Sequence, residues 1–222
     1  MKLLLTSGGI RNASIRGALD KLLPKPVEEC DALGITTASY AHPHAGPPRA
    51  WAFVADDSMT SLPWKSLGLI EPATFPSLGR DMWLPWLEQT DVLLVNGGDT
   101  LFLAHHLRES GLAELLPSLD AVWVGVSAGS MVMTPRIGDD FKQWDPPGGG
   151  NAALGFVDFA IFPHLQPREG GWGNTMEEAH EWFAKIDVPT AYVMDDETSL
   201  VWVDGEVEVV SGTGHWKQFP AA

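Results

Sequence analysis

A short apolar run that stops at a Gly-x-Ser-x-Gly and resumes at once constrains this chain more than any other stretch: Ala121-Val122-Trp123-Val124-Gly125-Val126-Ser127-Ala128-Gly129-Ser130-Met131-Val132-Met133. A run of β-branched and aromatic residues bounded by glycine is the pattern of a strand covered on both faces, and helical spacing resumes after Gly129. Ser127 therefore falls on a sharp strand-to-helix bend. Gly125 and Gly129 lack the β-carbons that would collide where strand and helix pack closely, so Ser127 is expected to hold the strained turn of a nucleophile elbow, hydroxyl outward. The Ala128 amide then lies at a helix N-terminus, where developing negative charge is favoured. In a chain with 23 glycines the bare motif could arise by accident, and its meaning comes from the strand before it and the helix after it.

At 222 residues the chain is long enough for one α/β domain over residues 1–222, with a core that needs neither disulfide nor metal. The single cysteine, Cys30, excludes an internal disulfide and reads as a small buried hydrophobe in a reducing compartment. Residues 1–9 have too short an apolar core for a signal peptide, and no later stretch approaches the roughly 18 apolar residues of a membrane span, so a soluble cytoplasmic protein is expected. A formal charge of −15 without a basic cluster argues against nucleic acid and anionic membrane as partners. His42-Pro43-His44 has no carboxylate or third histidine at ligand spacing, which favours exposed loop histidines and no metal. Ser7-Gly8-Gly9 lacks the third glycine of a dinucleotide fingerprint and reads as a tight βα turn.

Along the chain, Lys2 to Thr6 is the first predicted strand, followed by a helix from Ser14 to Leu23 and a strand from Gly34 to Tyr40. The proline-rich stretch from Ala41 to Ser66 holds a helix around Arg49 to Ala55, and a short strand at Gly68 to Glu71 and a helix from Gly79 to Gln89 come next. Asp91 to Val95 is a buried strand running into Asn96-Gly97-Gly98-Asp99-Thr100 and a helix, Leu101 to Glu109, that Asp99 or Thr100 can cap. Strand, helix, strand, helix between Asp91 and Met133 is a βαβ unit, so Gly97 and Gly98 are expected beside Ser127, where an oxyanion hole needs a second amide. Thr134 to Asn151 reads as a loop. Phe156 to Phe162 is a strand with Pro163-His164 at its carboxyl end, and Thr175-Met176-Glu177-Glu178 is a capping box opening a helix to about Lys185. Thr190 to Met194, Ser199 to Val203 and Glu206 to Val210 are strands, the last two joined through Asp204-Gly205 as a hairpin.

A hydroxyl is a poor nucleophile near neutral pH and needs a base. Of the seven histidines, His164 alone lies just past a predicted parallel strand downstream of the elbow, on the edge where active sites of such sheets collect.

Taken together, Asn96-Gly97-Gly98-Asp99-Thr100, Gly125-Val126-Ser127-Ala128-Gly129 and Phe162-Pro163-His164 resemble the dipeptidase E (aspartyl dipeptidase) family of serine peptidases, relatives of cyanophycinase. The resemblance implies a class I glutamine-amidotransferase-like (flavodoxin-like) fold: a three-layer α/β sandwich around a central mostly parallel sheet, with the C-terminal β-hairpin added. It implies hydrolysis of short peptides after an N-terminal aspartate, without metal or cofactor. Position by position, Ser127 resembles the nucleophile, His164 the general base, and Gly98 and Ala128 the oxyanion-hole amides. The family's third acid would lie about fifteen residues past the serine, an offset that falls on Lys142; Asp140 is the expected substitute, then Asp139, then Asp145. The family's aspartate-selecting stretch carries an arginine where this chain has Met176, so a substrate carboxylate would have to be met by Arg136 or Arg168, with Asp99 a further substrate contact. The expected partner is a short peptide, and a homodimer is left open.

Two other readings stay beside this one. An esterase of the α/β-hydrolase kind also orders its triad Ser, acid, His, but no His-Gly-Gly-Gly-type segment is present and three β-rich pieces follow His164. A non-catalytic or altered-specificity binding domain of the same fold would retain the sheet while losing the acid and the family's arginine.

Overall fold

The computed structural model describes residues 1–166 and 173–220. Short apolar runs alternate with amphipathic stretches through the first half of the chain and fold as strand and helix in turn. They form β1 (Lys2–Thr6), α1 (Ala13–Leu22), β2 (Asp31–Ile35), α2 (Gly46–Asp56), β3 (Ser66–Ile70) and α3 (Arg80–Glu88). Then come β4 (Val92–Val95), α4 (Thr100–Glu109), α5 (Leu112–Leu115), β5 (Val122–Val126) and α6 (Ala128–Met131). The second half supplies β6 (Ala160–Phe162), α7 (Met176–Lys185), β7 (Ala191–Met194), β8 (Thr198–Val203), β9 (Glu206–Ser211) and β10 (Trp216–Phe219).

Seven strands make one sheet in the order β3-β2-β4-β5-β1-β8-β9. The first five run parallel, and β8 and β9 close the edge antiparallel. Alternation along the strands divides the core. Leu3, Leu5, Val95 and Trp123 belong to one buried cluster, whereas Leu4, Val122 and Val124 join Ile15, Leu19 and Phe53 in another. The central strands are thus apolar on both faces, as the uninterrupted run before Ser127 requires. The expected C-terminal hairpin is β8–β9, whose tip residues Asp204 and Gly205 both have positive φ (48° and 100°), the signature of a tight hairpin turn.

β6, β7 and β10 form a separate three-stranded sheet in the order β10-β7-β6. It carries its own apolar cluster with α7, built on Phe162, Trp182, Val193 and Phe219. The helix opens on the expected capping box between Thr175 and Glu178. The strand expected over Gly34 to Tyr40 ends instead at Ile35, and Thr37–Ala41 is a 3-10 turn. The Thr36 and Thr37 hydroxyls both bond to the Glu71 carboxylate, which draws the chain out of the ladder.

Two glycines mark opposite extremes of packing. A β-carbon on Gly129 would lie 2.2 Å from the Val95 carbonyl oxygen, whereas one on Gly17, in the middle of α1, would meet nothing within 4 Å. Gly129→Ala is expected to destabilise the fold by about 3 kcal/mol or more through overpacking. Gly17→Ala should stabilise it by about 0.5–1 kcal/mol through helix propensity and lost unfolded-state entropy. Thermal melts of the two variants check both signs.

Candidate active site

Ser127 caps β5 at φ 52° and ψ −113°, a left-handed backbone that costs a non-glycine residue of order 1–3 kcal/mol unless its surroundings enforce it. They do so through close backbone packing. A β-carbon on Gly125 would lie 2.2 Å from the Gly129 carbonyl oxygen, so strand and helix can touch only where side chains are missing. Ser127 N donates to Thr6 O (3.0 Å), and the buried Ser130 hydroxyl lies within reach of both Thr6 O (2.8 Å) and Gly125 O (2.9 Å).

His164 follows β6 and Pro163 and also has positive φ, 57°. Its main-chain N–H donates to Ser7 Oγ (2.8 Å) and its carbonyl accepts from Asn174 N (2.6 Å). The ring bridges two groups. Nε2 is 2.8 Å from Ser127 Oγ, and Nδ1 is 2.7 Å from Asp196 Oδ1. A carboxylate only accepts, so the tautomer that satisfies both contacts carries its proton on Nδ1 and leaves Nε2 free to accept from the serine hydroxyl. Burial alone would raise the Asp196 carboxyl, but the His164 bond and charge, the Ser7 hydroxyl and the Arg11 guanidinium outweigh it and hold it below the usual carboxylate range.

Beside the serine, β4 ends in Asn96-Gly97-Gly98. A β-carbon on Gly97 would come 3.2 Å from Ser127 Cβ, and one on Gly98, at φ 142°, would strike Ala38 O at 2.2 Å. Asn96 ties this loop down by accepting from Gly97 N (2.8 Å) and donating to Ser39 Oγ (3.0 Å). Gly98 lines a cleft of about 680 Å³ that also holds Ser127, His164, Arg11, Arg49 and Asp57. Ala128 is the first residue of α6, a position whose N–H has no partner within the helix. Burial pushes the Asp57 carboxyl up, against the Met59 amide and the charges of Arg49 and Arg11. Among the described residues no group of three or more His, Cys, Asp or Glu is placed to hold a metal, and no helix is long and apolar enough to cross a membrane.

Several expected residues lie elsewhere. Asp140 does not reach the histidine: it sits in the 3-10 turn Asp139–Phe141, with Oδ1 3.6 Å from Lys185 Nζ. Asp139 accepts from Asn151 Nδ2 (3.0 Å), and Asp145 pairs with Lys142 (2.6 Å). Asp196 takes the place intended for Asp140 because β6 and β7 are parallel neighbours, with Phe162 opposite Val193, so that residues just past the two strand ends meet. The sequence signal for it is the Asp195-Asp196 pair just past a strand, which an offset counted from the serine does not reach. Asp99 is 1% exposed and spends its two oxygens on Phe102 N (2.7 Å) and Trp144 N (2.8 Å). It caps α4 and anchors a loop, and it is not on the cleft wall. Arg136 reaches Asn151 Oδ1 (3.4 Å) away from the cleft, and Arg168 lies outside the described residues. Met176 packs against the apolar cluster of the small sheet.

The model of Peptidase family S51 matches residues 81–210. A peptidase E of Shewanella baltica (strain OS155 / ATCC BAA-1091) is 31% identical over 127 residues, covering 54% of this chain and 53% of the relative. A peptidase E of Streptomyces coelicolor is 34% identical over 137 residues, covering 57% and 54%. The chain spans about half the length of the curated relatives it matches. Among solved structures, a candidate peptidase E of Listeria monocytogenes EGD-e superposes with a TM-score of 0.65 at 19% identity, over 95% of this chain and 98% of that one. A peptidase from an acI-B1 Actinobacterium gives 0.58 at 16% identity, over 98% and 86%. At those identities the likeness is one of fold.

The geometry separates the two carboxylates by experiment. Asp196→Asn is expected to slow reaction of Ser127 with a fluorophosphonate probe by about 10³- to 10⁴-fold, since an amide cannot hold the required tautomer. Asp140→Asn should leave the labelling rate within about twofold, as expected of an exposed surface pair. Time-resolved labelling of the two variants checks this.

Proposed function

Because the chain belongs to peptidase family S51, we propose that it is a serine exopeptidase acting on short peptides through Ser127, His164 and Asp196. The observation that carries this reading is the continuous contact from Ser127 Oγ to His164 Nε2 (2.8 Å) and from His164 Nδ1 to Asp196 Oδ1 (2.7 Å). A fold retained only for binding would have no use for a strained serine aimed at an oriented imidazole.

In this mechanism the Ser127 oxygen attacks the scissile carbonyl while His164 Nε2 takes its proton. Asp196 keeps Nδ1 protonated and offsets the charge of the imidazolium that forms. The carbonyl oxygen becomes an oxyanion, for which the Gly98 and Ala128 amides are the donors. Collapse of the tetrahedral species breaks the C–N bond as the imidazolium returns its proton to the leaving amine. Water, deprotonated by His164, then attacks the acyl-serine; a second collapse releases the acid and restores the hydroxyl.

Substrate size and charge follow from the cleft. A volume of about 680 Å³ suits a short peptide rather than a folded chain. The preference for an acidic first residue that the family resemblance suggests finds support in Arg11 and Arg49 on the cleft wall, in place of the arginine that Met176 replaces. Arg11 Nε donates to Gly8 O (2.7 Å), whereas Arg49 is exposed and has no ion pair among the described residues. It is therefore the better placed of the two to take a substrate carboxylate.

Ser127→Ala should abolish turnover of a dipeptide library and all fluorophosphonate labelling while leaving the melting temperature nearly unchanged; full turnover by that variant would sink the assignment. In the same library Asp-Xaa peptides are expected to be cleaved fastest, and Arg49→Ala should narrow their advantage over Ala-Xaa peptides by about tenfold, the loss of one charge-assisted contact. Equal kcat/KM for both classes in the parent protein would remove the acidic preference and leave the peptidase.

A further inference from the structure

Ser7 stands at the carboxyl end of β1, fully buried, and its single hydroxyl touches both groups that serve Ser127. The main-chain N–H of His164 donates to Ser7 Oγ at 2.8 Å, and the same oxygen is 3.1 Å from Asp196 Oδ1 and 3.4 Å from Met194 O. A hydroxyl has one proton to give, and with its oxygen accepting from His164 the nearer and charged acceptor is Asp196 Oδ1. That carboxylate oxygen therefore receives two donors, Ser7 from the β1 side and His164 Nδ1 from the ring side.

The position of Ser7 matters because the site is assembled from two sheets. Ser127 ends β5 in the seven-stranded sheet, whereas His164 and Asp196 follow β6 and β7 of the three-stranded one. Ser7 belongs to the large sheet through β1, the direct neighbour of β5, and its own N–H donates to Thr198 O (3.3 Å). The hydroxyl is thus a strut from the sheet of the nucleophile to the base and the acid together. His164 needs such a restraint, since its φ of 57° is one that a non-glycine residue keeps only when its surroundings over-determine it. The chain beyond Ser7 is cleared for the same contact: a β-carbon on Gly8 would fall 2.6 Å from Asp196 Cβ.

We propose that Ser7 is a positioning residue of the site, holding the His164 main chain and the Asp196 carboxylate in register with Ser127. This rests on the peptidase reading for its consequence in turnover, but not for its consequence in the histidine–aspartate contact, and the test uses both. In Ser7→Ala, kcat on the best dipeptide should fall about 10- to 100-fold with KM within about threefold, the effect of misplacing a base by a fraction of an ångström. In the proton NMR spectrum, the far-downfield resonance of the His164 Nδ1 proton should be present in the parent protein, absent in His164→Ala, and shifted upfield or lost in Ser7→Ala. Ser7→Cys keeps the volume with a much weaker donor and acceptor and should show the same losses, which covers the case in which the alanine variant does not fold. Parent-like kcat together with an unmoved downfield resonance in either folded variant would overturn the proposal. If the parent protein neither cleaves peptides nor reacts with fluorophosphonate, the peptidase reading fails, and the resonance in parent and variant still decides the role of Ser7.

Discussion

Contact between bare backbones at the end of β5 underlies the rest of the site. Gly125 against Gly129, and Gly129 against Val95, approach so closely that a β-carbon at either glycine would lie 2.2 Å from a carbonyl oxygen. Three strands therefore converge on one serine. β5 carries it, β4 packs against the first turn of α6, and β1 accepts its N–H through Thr6 O. A serine held this way has its strain supplied by the sheet and its hydroxyl direction set before any ligand arrives. On the proposed mechanism, preorganisation of that kind would let the serine hydroxyl and the fixed amide donors act without reorganising.

The imidazole that meets Ser127 comes from outside that sheet. The small sheet supplies it by running β6 and β7 side by side and in parallel, so that His164 and Asp196 emerge together from neighbouring strand ends. The chain then passes from β7 into β8, which pairs with β1 of the large sheet. His164 and Asp196 are thereby linked to the strand beside Ser127 through β1 and the Ser7 hydroxyl that follows it, and the apolar packing of Trp182, from α7, with Phe162, Val193 and Phe219 of the small sheet keeps those strand ends in place.

Electrostatics within the cleft differ from those of the acidic whole. In a chain of formal charge −15 the cleft around the serine is more balanced, its lining setting Arg11 and Arg49 beside Asp57 and Asp196. Three carboxylates partly or wholly withdrawn from solvent divide by their partners. Asp196 is desolvated but so well supplied with donors that its charged form is favoured, while burial pushes the Asp57 and Asp99 carboxyls up. An anion that stays charged beside the imidazole suits the orientation of a base, whereas Asp99, with both oxygens on backbone amides, serves the architecture of the loop over α4.

Local pattern was enough to place the elbow, the parallel strands around it, the capping box of α7 and the hairpin at Asp204-Gly205, because each of these is written in neighbouring residues: an apolar run, a glycine, a Thr-x-x-Glu. Ser127 and His164, which the fold brings within 2.8 Å of each other, stand out in the sequence for the same reason, since each falls just past a strand that periodicity reveals. What periodicity does not carry is the pairing of strands across distance. That β6 and β7 leave the main sheet to form another with β10, that Asp196 rather than Asp140 meets the imidazole, that Arg11 and Arg49 rather than Arg136 face the cleft, and that Asp99 turns inward to cap a helix were decided only by tertiary structure. The physical reason is the same in each case: a carboxylate or a guanidinium looks alike in any stretch of sequence, and its role depends on which distant main-chain donors, strand ends and charges the completed fold sets against it.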